Sequence, residues 1–223
     1  YFKGNNMKYE VIAFAGADET VKAYESGRCD VFTSDASQLY AQRLKLANAG
    51  DHEVLPEIIS KEPLGPMVRH GDDQWFDIVK WTLFAMINAE EAGVTQKNID
   101  EMVKSDKPDM KRMLGSDGNL GEQLGVTKDW VVRIVKHVGN YGEAFDRNVG
   151  AGSKLAISRG LNNLWNKGGI QYAQPIRCPL TPKGGAAMAI EARKPPSQFA
   201  LRLRRSLGGR AGWNGVLFQV LFV

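Results

Sequence analysis

The pattern of apolar positions in the first fifty residues alternates between strand-like and helix-like segments. Residues 9–14, YEVIAF, are rich in β-forming residues and predict a strand; the stretch ADETVKAYESG predicts a helix that ends at Gly27. The next segment, GRCDVFTSD, predicts a short strand at Val31, Phe32 and Thr33, and ASQLYAQRLKLAN predicts a second helix. This order favours an α/β fold with parallel strands joined by right-handed crossovers.

The next part of the chain begins with prolines and continues into a long helix. Prolines interrupt the apolar positions of residues 54–68, so only short extended stretches are predicted, at residues 54–59 and 67–68. From Asp72 onward, apolar residues recur every three or four positions, with Asp72 or Asp73 as the expected cap. We expect this apolar stripe to pack in the core. Its members are Trp75, Ile78, Val79, Thr82, Leu83 and Met86.

Residues 95–167 predict a series of short helices almost without strands. The helical segments are TQKNIDEMVK, PDMKRMLG, TKDWVVRIVKHVG, NYGEAFDRN and AISRGLNNLWNKGG. Between them, SDGNLGEQLGV contains three glycines and directly follows Gly115, an arrangement that a phosphate-binding loop could also use. No strand precedes these glycines and no Gly-Lys-Ser/Thr follows them, so the pattern favours turns.

The charge is distributed unevenly along the 223 residues. The chain is 43% hydrophobic and 24% charged, with a formal net charge of +4, which is typical of a globular protein. After Arg177 there are seven basic residues and one acid, so the 22 basic and 24 acidic residues of 1–177 leave a mildly acidic body. The segment 178–223 could be a nucleic-acid-binding or membrane-binding extension. Because it has neither a recognisable binding fold nor a regular helical face, we expect it to be a basic, disordered or non-native tail.

Few residues carry a pattern that is typical of catalysis or metal binding. The two cysteines, Cys29 and Cys178, lie on opposite sides of the change in composition, so their pairing and redox state cannot be predicted. The three histidines are not spaced as metal ligands. No apolar run approaches the length that crosses a bilayer, and no export signal is visible. We therefore predict no metal and no cofactor.

Asp35 is the one candidate binding residue. It follows a predicted strand, and ligands of open α/β sheets collect where strands end. Its carboxylate could meet a small cationic group there. The same residue could instead cap the following helix, since Gln38 lies at the distance of a capping box. The residues alone leave both roles open.

Three long segments resemble a single family. They are GRCDVFTSDASQLYAQRLKLAN, LPEIISKEPLGPMVRHGDDQWFDIVKWTLFAMINAEE and VGNYGEAFDRNVGAGSKLAISRGLNNLWNKGGIQYAQPIR. Together they resemble the general L-amino-acid-binding periplasmic proteins of ABC transporters, which are family 3 solute-binding proteins. The resemblance runs from about residue 1 to residue 177 and leaves out the tail. It implies that the chain is an N-terminally truncated member of the family.

The resemblance implies a partial type II periplasmic-binding-protein fold that binds an L-amino acid and delivers it to a membrane permease. Residues 1–63 would belong to the second lobe. Residues 64–177 would return through the hinge and pack their helices on the first lobe. The implied location is the periplasm, and the implied partners include no nucleic acid.

The resemblance also implies that Asp35 contacts the α-ammonium group of the ligand. The family's partners for the ligand carboxylate have no counterpart here, and we do not transfer that role to Arg28, Arg43 or Arg69. We therefore expect a fragment that binds amino acids weakly or not at all. Without first-lobe strands, we also expect exposed strand edges and an uncovered apolar helix face.

Two other functions remain as alternatives. A ligand-sensing regulator of the same fold would need a DNA-binding helix-turn-helix, which the sequence does not contain. An enzyme on this fold would need a nucleophile, and Cys29 is the only candidate. Cys29 lies in a strand-like run where we expect it to be buried, so we predict that the protein is not an enzyme.

Overall fold

The computed structural model describes residues 1–61 and 63–176. Eight α-helices occur in order along these residues. They are α1 (Ala17–Glu25), α2 (Ala36–Arg43), α3 (Asp73–Glu91), α4 (Ile99–Met102), α5 (Pro108–Met113), α6 (Leu120–Gln123), α7 (Trp130–Val138) and α8 (Tyr141–Asn148). Three short 3-10 helices lie at Ala49–Asp51, Gly160–Asn162 and Trp165–Lys167. The basic tail predicted for 178–223 lies outside the described residues.

The predicted strands do not form within the described residues, so that part of the prediction is wrong. Residues 9–14 and 31–33 belong to neither a strand nor a helix, and the same holds for 54–59 and 67–68. The one β-type pairing among residues 1–61 and 63–176 is an isolated parallel bridge between Leu164 and Gln171. A strand exists only by hydrogen bonding to a neighbour. The partners that these β-forming segments would need are not among the described residues.

Most helix predictions agree with the structure, although α2 ends at Arg43 and α4 covers only Ile99–Met102 of the predicted TQKNIDEMVK segment. Gly27, just after α1, has a φ of +72° and ends the helix as predicted. Asp72 is the cap of α3, since its carboxylate accepts a hydrogen bond from the Trp75 backbone N–H at 3.1 Å. The predicted helix in AISRGLNNLWNKGG is wrong, because this segment forms two 3-10 helices instead. Its asparagines and glycines have low helix propensity, and they favour such turns.

Two clusters of buried side chains around α3 form the core. The larger cluster joins α3 to α4, α5 and α7, and its buried members are Ala85, Ala89, Val94, Ile99, Met110, Met113, Leu114, Trp130, Val131 and Val135. The smaller cluster joins α3 to the segment after α8, and it consists of Phe84, Ile87, Leu164 and Ala173. The second half of α3 therefore provides the surface on which α4, α5, α7 and the segment after α8 pack.

The first half of α3 is not buried, which corrects the prediction for its apolar stripe. Trp75 is 51% exposed and Phe76 is 50% exposed, whereas Ala85 and Ala89 are fully buried. Ile78, Val79 and Leu83 are only partly buried. Helical periodicity shows which face of α3 is apolar, but burial requires a second element opposite that face. No described element covers Trp75 and Phe76.

Two glycines, one just before and one within the SDGNLGEQLGV segment, have a structural explanation. Gly115 has a φ of +79°, and a Cβ added there would lie 2.0 Å from the carbonyl oxygen of Lys128. A Cβ at Gly121 would lie 2.2 Å from the carbonyl oxygen of Thr127. These glycines therefore allow the turns around α6 to approach the start of α7, in agreement with the preferred prediction.

Candidate functional site

Asp35 occupies the position immediately before α2. Its backbone is extended, with φ of −54° and ψ of 141°, and its carbonyl oxygen accepts a hydrogen bond from the Leu39 N–H at 2.9 Å. Its side chain makes no capping hydrogen bond. The residue is half-buried. Asp35 thus has the place of a helix cap without using its carboxylate for that purpose.

The capping box that the sequence allows between Asp35 and Gln38 does not form, and the Gln38 side chain is bonded to Ser34 instead. The hydroxyl of Ser34 donates a hydrogen bond to Oε1 of Gln38 at 2.6 Å, which holds the glutamine side chain. Within residues 1–61 and 63–176, the Asp35 carboxylate has no hydrogen bond and no ion pair. The N-terminal end of a helix stabilises a nearby negative charge. The carboxylate is therefore in a favourable position and keeps its acceptor sites for another group.

A small aromatic cluster connects α1 to the segment that leads to Asp35. The rings of Tyr24 and Phe32 have centroids 6.3 Å apart, and the Tyr24 hydroxyl lies 2.8 Å from Nδ1 of His52. Phe32 precedes Asp35 by three residues. The packing of α1 against Phe32 thus helps to fix the chain just before α2. The contact between Tyr24 and His52 spans 28 residues and has no signal in the local sequence pattern.

The three arginines considered in the sequence analysis have different surroundings. The Arg28 guanidinium lies 5.6 Å from the centre of the Phe14 ring, in a cation–π arrangement. Nε of Arg43 donates to the Ala49 carbonyl oxygen at 3.0 Å. Arg69 belongs to the exposed segment before α3. No described arginine forms an ion pair with Asp35, and none is identified as the carboxylate partner of a ligand held there.

Other kinds of site have little support in the described residues. No group of three or more histidine, cysteine, aspartate or glutamate side chains is arranged to hold a metal ion in this part of the chain. Among the same residues, no helix has both the length and the apolar character that crossing a bilayer requires. Cys29 is a free thiol and is half-buried, less buried than its strand-like sequence predicts. Cys178 lies outside the described residues.

Comparison with known proteins gives strong similarities. The chain is 61% identical over 179 residues to the general L-amino acid-binding periplasmic protein AapJ of Rhizobium johnstonii, and this match covers 79% of the chain. It is 58% identical to the putative amino-acid ABC transporter-binding protein YhdW of Escherichia coli K12, again over 79% of the chain. This part of the chain is homologous to amino-acid-binding periplasmic proteins of ABC transporters. The predicted resemblance is thereby confirmed.

Further matches extend the same result. The chain is 46% identical over 178 residues to the glutamate/glutamine/aspartate/asparagine-binding protein BztA of Rhodobacter capsulatus, covering 79% of the chain and 53% of that relative. A solved ABC-transporter periplasmic binding protein of Brucella ovis, with glutathione bound, is 57% identical and superposes with a TM-score of 0.73 over 79% of this chain. No family model matches the chain.

The chain spans about half the length of these homologues. The matched region covers 52% of AapJ, 52% of YhdW and 56% of the Brucella structure. The similarity therefore supports a periplasmic-binding-protein-like fold for the matched region, although the described residues contain helices and no strands.

Proposed function

We propose that the chain is part of the substrate-binding component of an amino-acid ABC uptake system. In this role it works in the periplasm and delivers its ligand to the permease subunits in the membrane. The observation that carries the proposal is the 61% identity over 179 residues to a general L-amino acid-binding periplasmic protein. The homologues are named for binding, which supports a role in capture without chemistry on the ligand.

The ligands named for the homologues suggest which chemical group is recognised. They are L-amino acids in general, four acidic or amide amino acids, and glutathione. All of them carry an ammonium and a carboxylate on the same α-carbon, and glutathione keeps both on its γ-glutamyl end. We propose that the same head group defines the ligand class of this protein.

Asp35 is our proposed partner for the ligand's α-ammonium group. An ammonium that donates to a carboxylate forms a charge-assisted hydrogen bond, which is stronger than a neutral one. The Asp35 carboxylate is half-buried at the start of α2 and has no hydrogen bond of its own within the described residues. Partial burial strengthens the interaction with an ammonium, because water screens the two charges less.

We further propose that the described residues form two parts of a two-lobed fold. Residues 1–63 would belong to the second lobe, and residues 64–177 would return through the hinge and pack on the first lobe. The exposed Trp75 and Phe76 support this division, since they leave an apolar face to be covered. The chain alone would then bind amino acids weakly, because no described residue is assigned to the ligand carboxylate.

Calorimetry tests the proposed function on two proteins. In the first, the chain is joined to the part of AapJ that it does not span; the second is the chain alone. We expect the joined protein to bind L-glutamate and not glutarate, which has the same two carboxylates but no ammonium. Absence of binding by a folded joined protein, or equal binding of glutarate, would contradict the proposal. Tight binding by the chain alone would contradict only the proposal that this chain by itself binds amino acids weakly.

A further inference from the structure

A polar cleft lies at the opposite end of α2 from Asp35. Its lining includes Tyr40 and Arg43 of α2, and Asp51, His52 and Glu53 from the segment that follows. Ala156, from the loop after α8, completes the lining, and the cleft volume is about 560 Å³. The eight residues of α2 separate Asp35 from Arg43 by roughly 12 Å along the helix axis. The cleft is therefore distinct from the position proposed for the ligand ammonium.

Arg43 presents a positive charge in this cleft with part of its guanidinium unused. Nε donates to the Ala49 carbonyl oxygen at 3.0 Å, which fixes the direction of the side chain. Its two terminal nitrogens have no hydrogen bond or ion pair in the part of the chain that the structure describes. A fixed guanidinium with two free nitrogens is well suited to a carboxylate, which it can bind through two parallel hydrogen bonds.

Asp51 and Glu53 present negative charge in the same cleft. Both residues are exposed, and neither forms an ion pair with Arg43 or with any other described cation. The cleft therefore offers charges of both signs that are not joined in an ion pair among the described residues. A purely anionic or purely cationic ligand would be attracted by one side of the cleft and repelled by the other. A zwitterion would satisfy both sides.

The surroundings hold this arrangement in place. The Tyr24 hydroxyl lies 2.8 Å from Nδ1 of His52, which orients the imidazole and leaves Nε2 as its remaining polar atom. Ala156 has a φ of +48°, in the left-handed region that alanine rarely adopts. Such strained residues occur preferentially where a ligand or a close contact requires them. These features fix the positions of His52 and of the Ala156 backbone at the edge of the cleft.

We propose that this cleft is a second binding site, for a small zwitterion that carries an ammonium and a carboxylate. The Arg43 guanidinium receives the carboxylate, and Asp51 and Glu53 receive the ammonium. Free amino acids and short peptides share this chemistry. A peptide separates its two charges by up to about 3.5 Å for each residue, and so spans a wider cleft than an amino acid does.

Titrations of the full chain, followed by NMR of the His52 ring protons, test the site. The probes are L-alanine and triglycine, with acetate and methylammonium as single-charge controls. We expect a saturable shift with at least one zwitterion and not with the single ions. The zwitterion with the higher affinity shows whether the ligand is a free amino acid or a short peptide. No saturable shift with either zwitterion, or equal binding of acetate or methylammonium, would overturn the proposal.

Variants assign the binding to the cleft. Glu53→Gln and Arg43→Gln each remove one charge, and each should weaken binding about tenfold, because each loses a hydrogen bond to a charged group. Glu57→Gln, an exposed acid outside the cleft, should leave the affinity unchanged. If Arg43→Gln does not fold, the affinity of the Glu53→Gln variant alone tests the proposal. Unchanged binding in Glu53→Gln, or loss of binding in Glu57→Gln, would contradict the proposal.

Discussion

Arg159 and Glu90 form a largely buried ion pair across 69 residues of sequence. Nη2 of Arg159 lies 3.0 Å from Oε2 of Glu90, and their side chains are only 17% and 11% exposed. The guanidinium also lies 5.3 Å from the centre of the Tyr141 ring and 5.2 Å from that of Phe145. The pair thus fastens the loop after α8 to α3 and α8.

Removal of either charge of this pair should destabilise the protein. Glu90→Gln leaves the Arg159 guanidinium buried without its counter-charge, so we expect the free energy of unfolding to fall by about 3 kcal/mol. Glu122→Gln is the matched control, because Glu122 and Lys128 are more than half exposed and 3.8 Å apart. Urea unfolding measures both variants. Equal stability of Glu90→Gln and Glu122→Gln would show that the buried pair does not stabilise the fold.

Gly142 is the residue of α8 that lets this ion pair approach. A Cβ at this position would lie 2.7 Å from Nη1 of Arg159 and 2.9 Å from Cδ of Glu90. Alanine normally stabilises a helix relative to glycine by about 1 kcal/mol. Here we expect Gly142→Ala to lower the thermal midpoint instead. Gly65→Ala, which has open space around its Cβ position, is the control and should change the midpoint little. A higher midpoint for Gly142→Ala would contradict this packing.

Asn140 joins the start of α8 to the end of α3. Its side chain accepts a hydrogen bond from the Glu143 N–H at 2.9 Å and donates one to the Val94 carbonyl oxygen at 2.8 Å. Asn140→Ala removes both bonds at a buried position, so we expect a loss of about 2 kcal/mol of stability. Asn119→Ala, at an exposed cap without a side-chain capping bond, is the control. Similar losses for the two variants in urea unfolding would contradict this role.

Tyr141 should make the fold sensitive to alkaline pH. Burial raises the pKa of its phenol above the usual 10.0; Arg159 opposes this shift and Glu90 adds to it. Above pH 10 the unfolded chain loses this proton while the folded protein still holds it, so the free energy of unfolding falls as pH rises. Tyr141→Phe should show a shallower alkaline decline in urea unfolding. The exposed Tyr172→Phe is the control. Identical declines in both variants would contradict this assignment.

The sequence predicts the helices better than the strands, and the reason is physical. The boundaries of α1, α3 and α8 follow from local signals, such as Gly27 after α1, the Asp72 cap and the spacing of Asn140 and Glu143. A strand depends on a partner that can lie far away in sequence. The β-forming residues 9–14 and 31–33 have no such partner among the described residues, and they form no strand.

The candidate site is likewise only partly predictable. The position of Asp35 before α2 follows from the sequence, but the sequence leaves open whether its carboxylate caps the helix. The structure shows the cap position without the capping bond, and the Gln38 side chain is bonded to Ser34. The pair of Tyr24 and His52, and the pair of Arg159 and Glu90, join distant segments, and no local pattern reveals them.

The most direct test of the central claim is the affinity for L-glutamate of the chain joined to the remaining part of AapJ, with and without Asp35→Asn. We expect the substitution to weaken binding at least about tenfold, because the ammonium loses a charge-assisted hydrogen bond. Circular dichroism should show the same fold in both proteins. Equal affinity of the folded Asp35→Asn protein would contradict the claim that Asp35 holds the ligand's α-ammonium group.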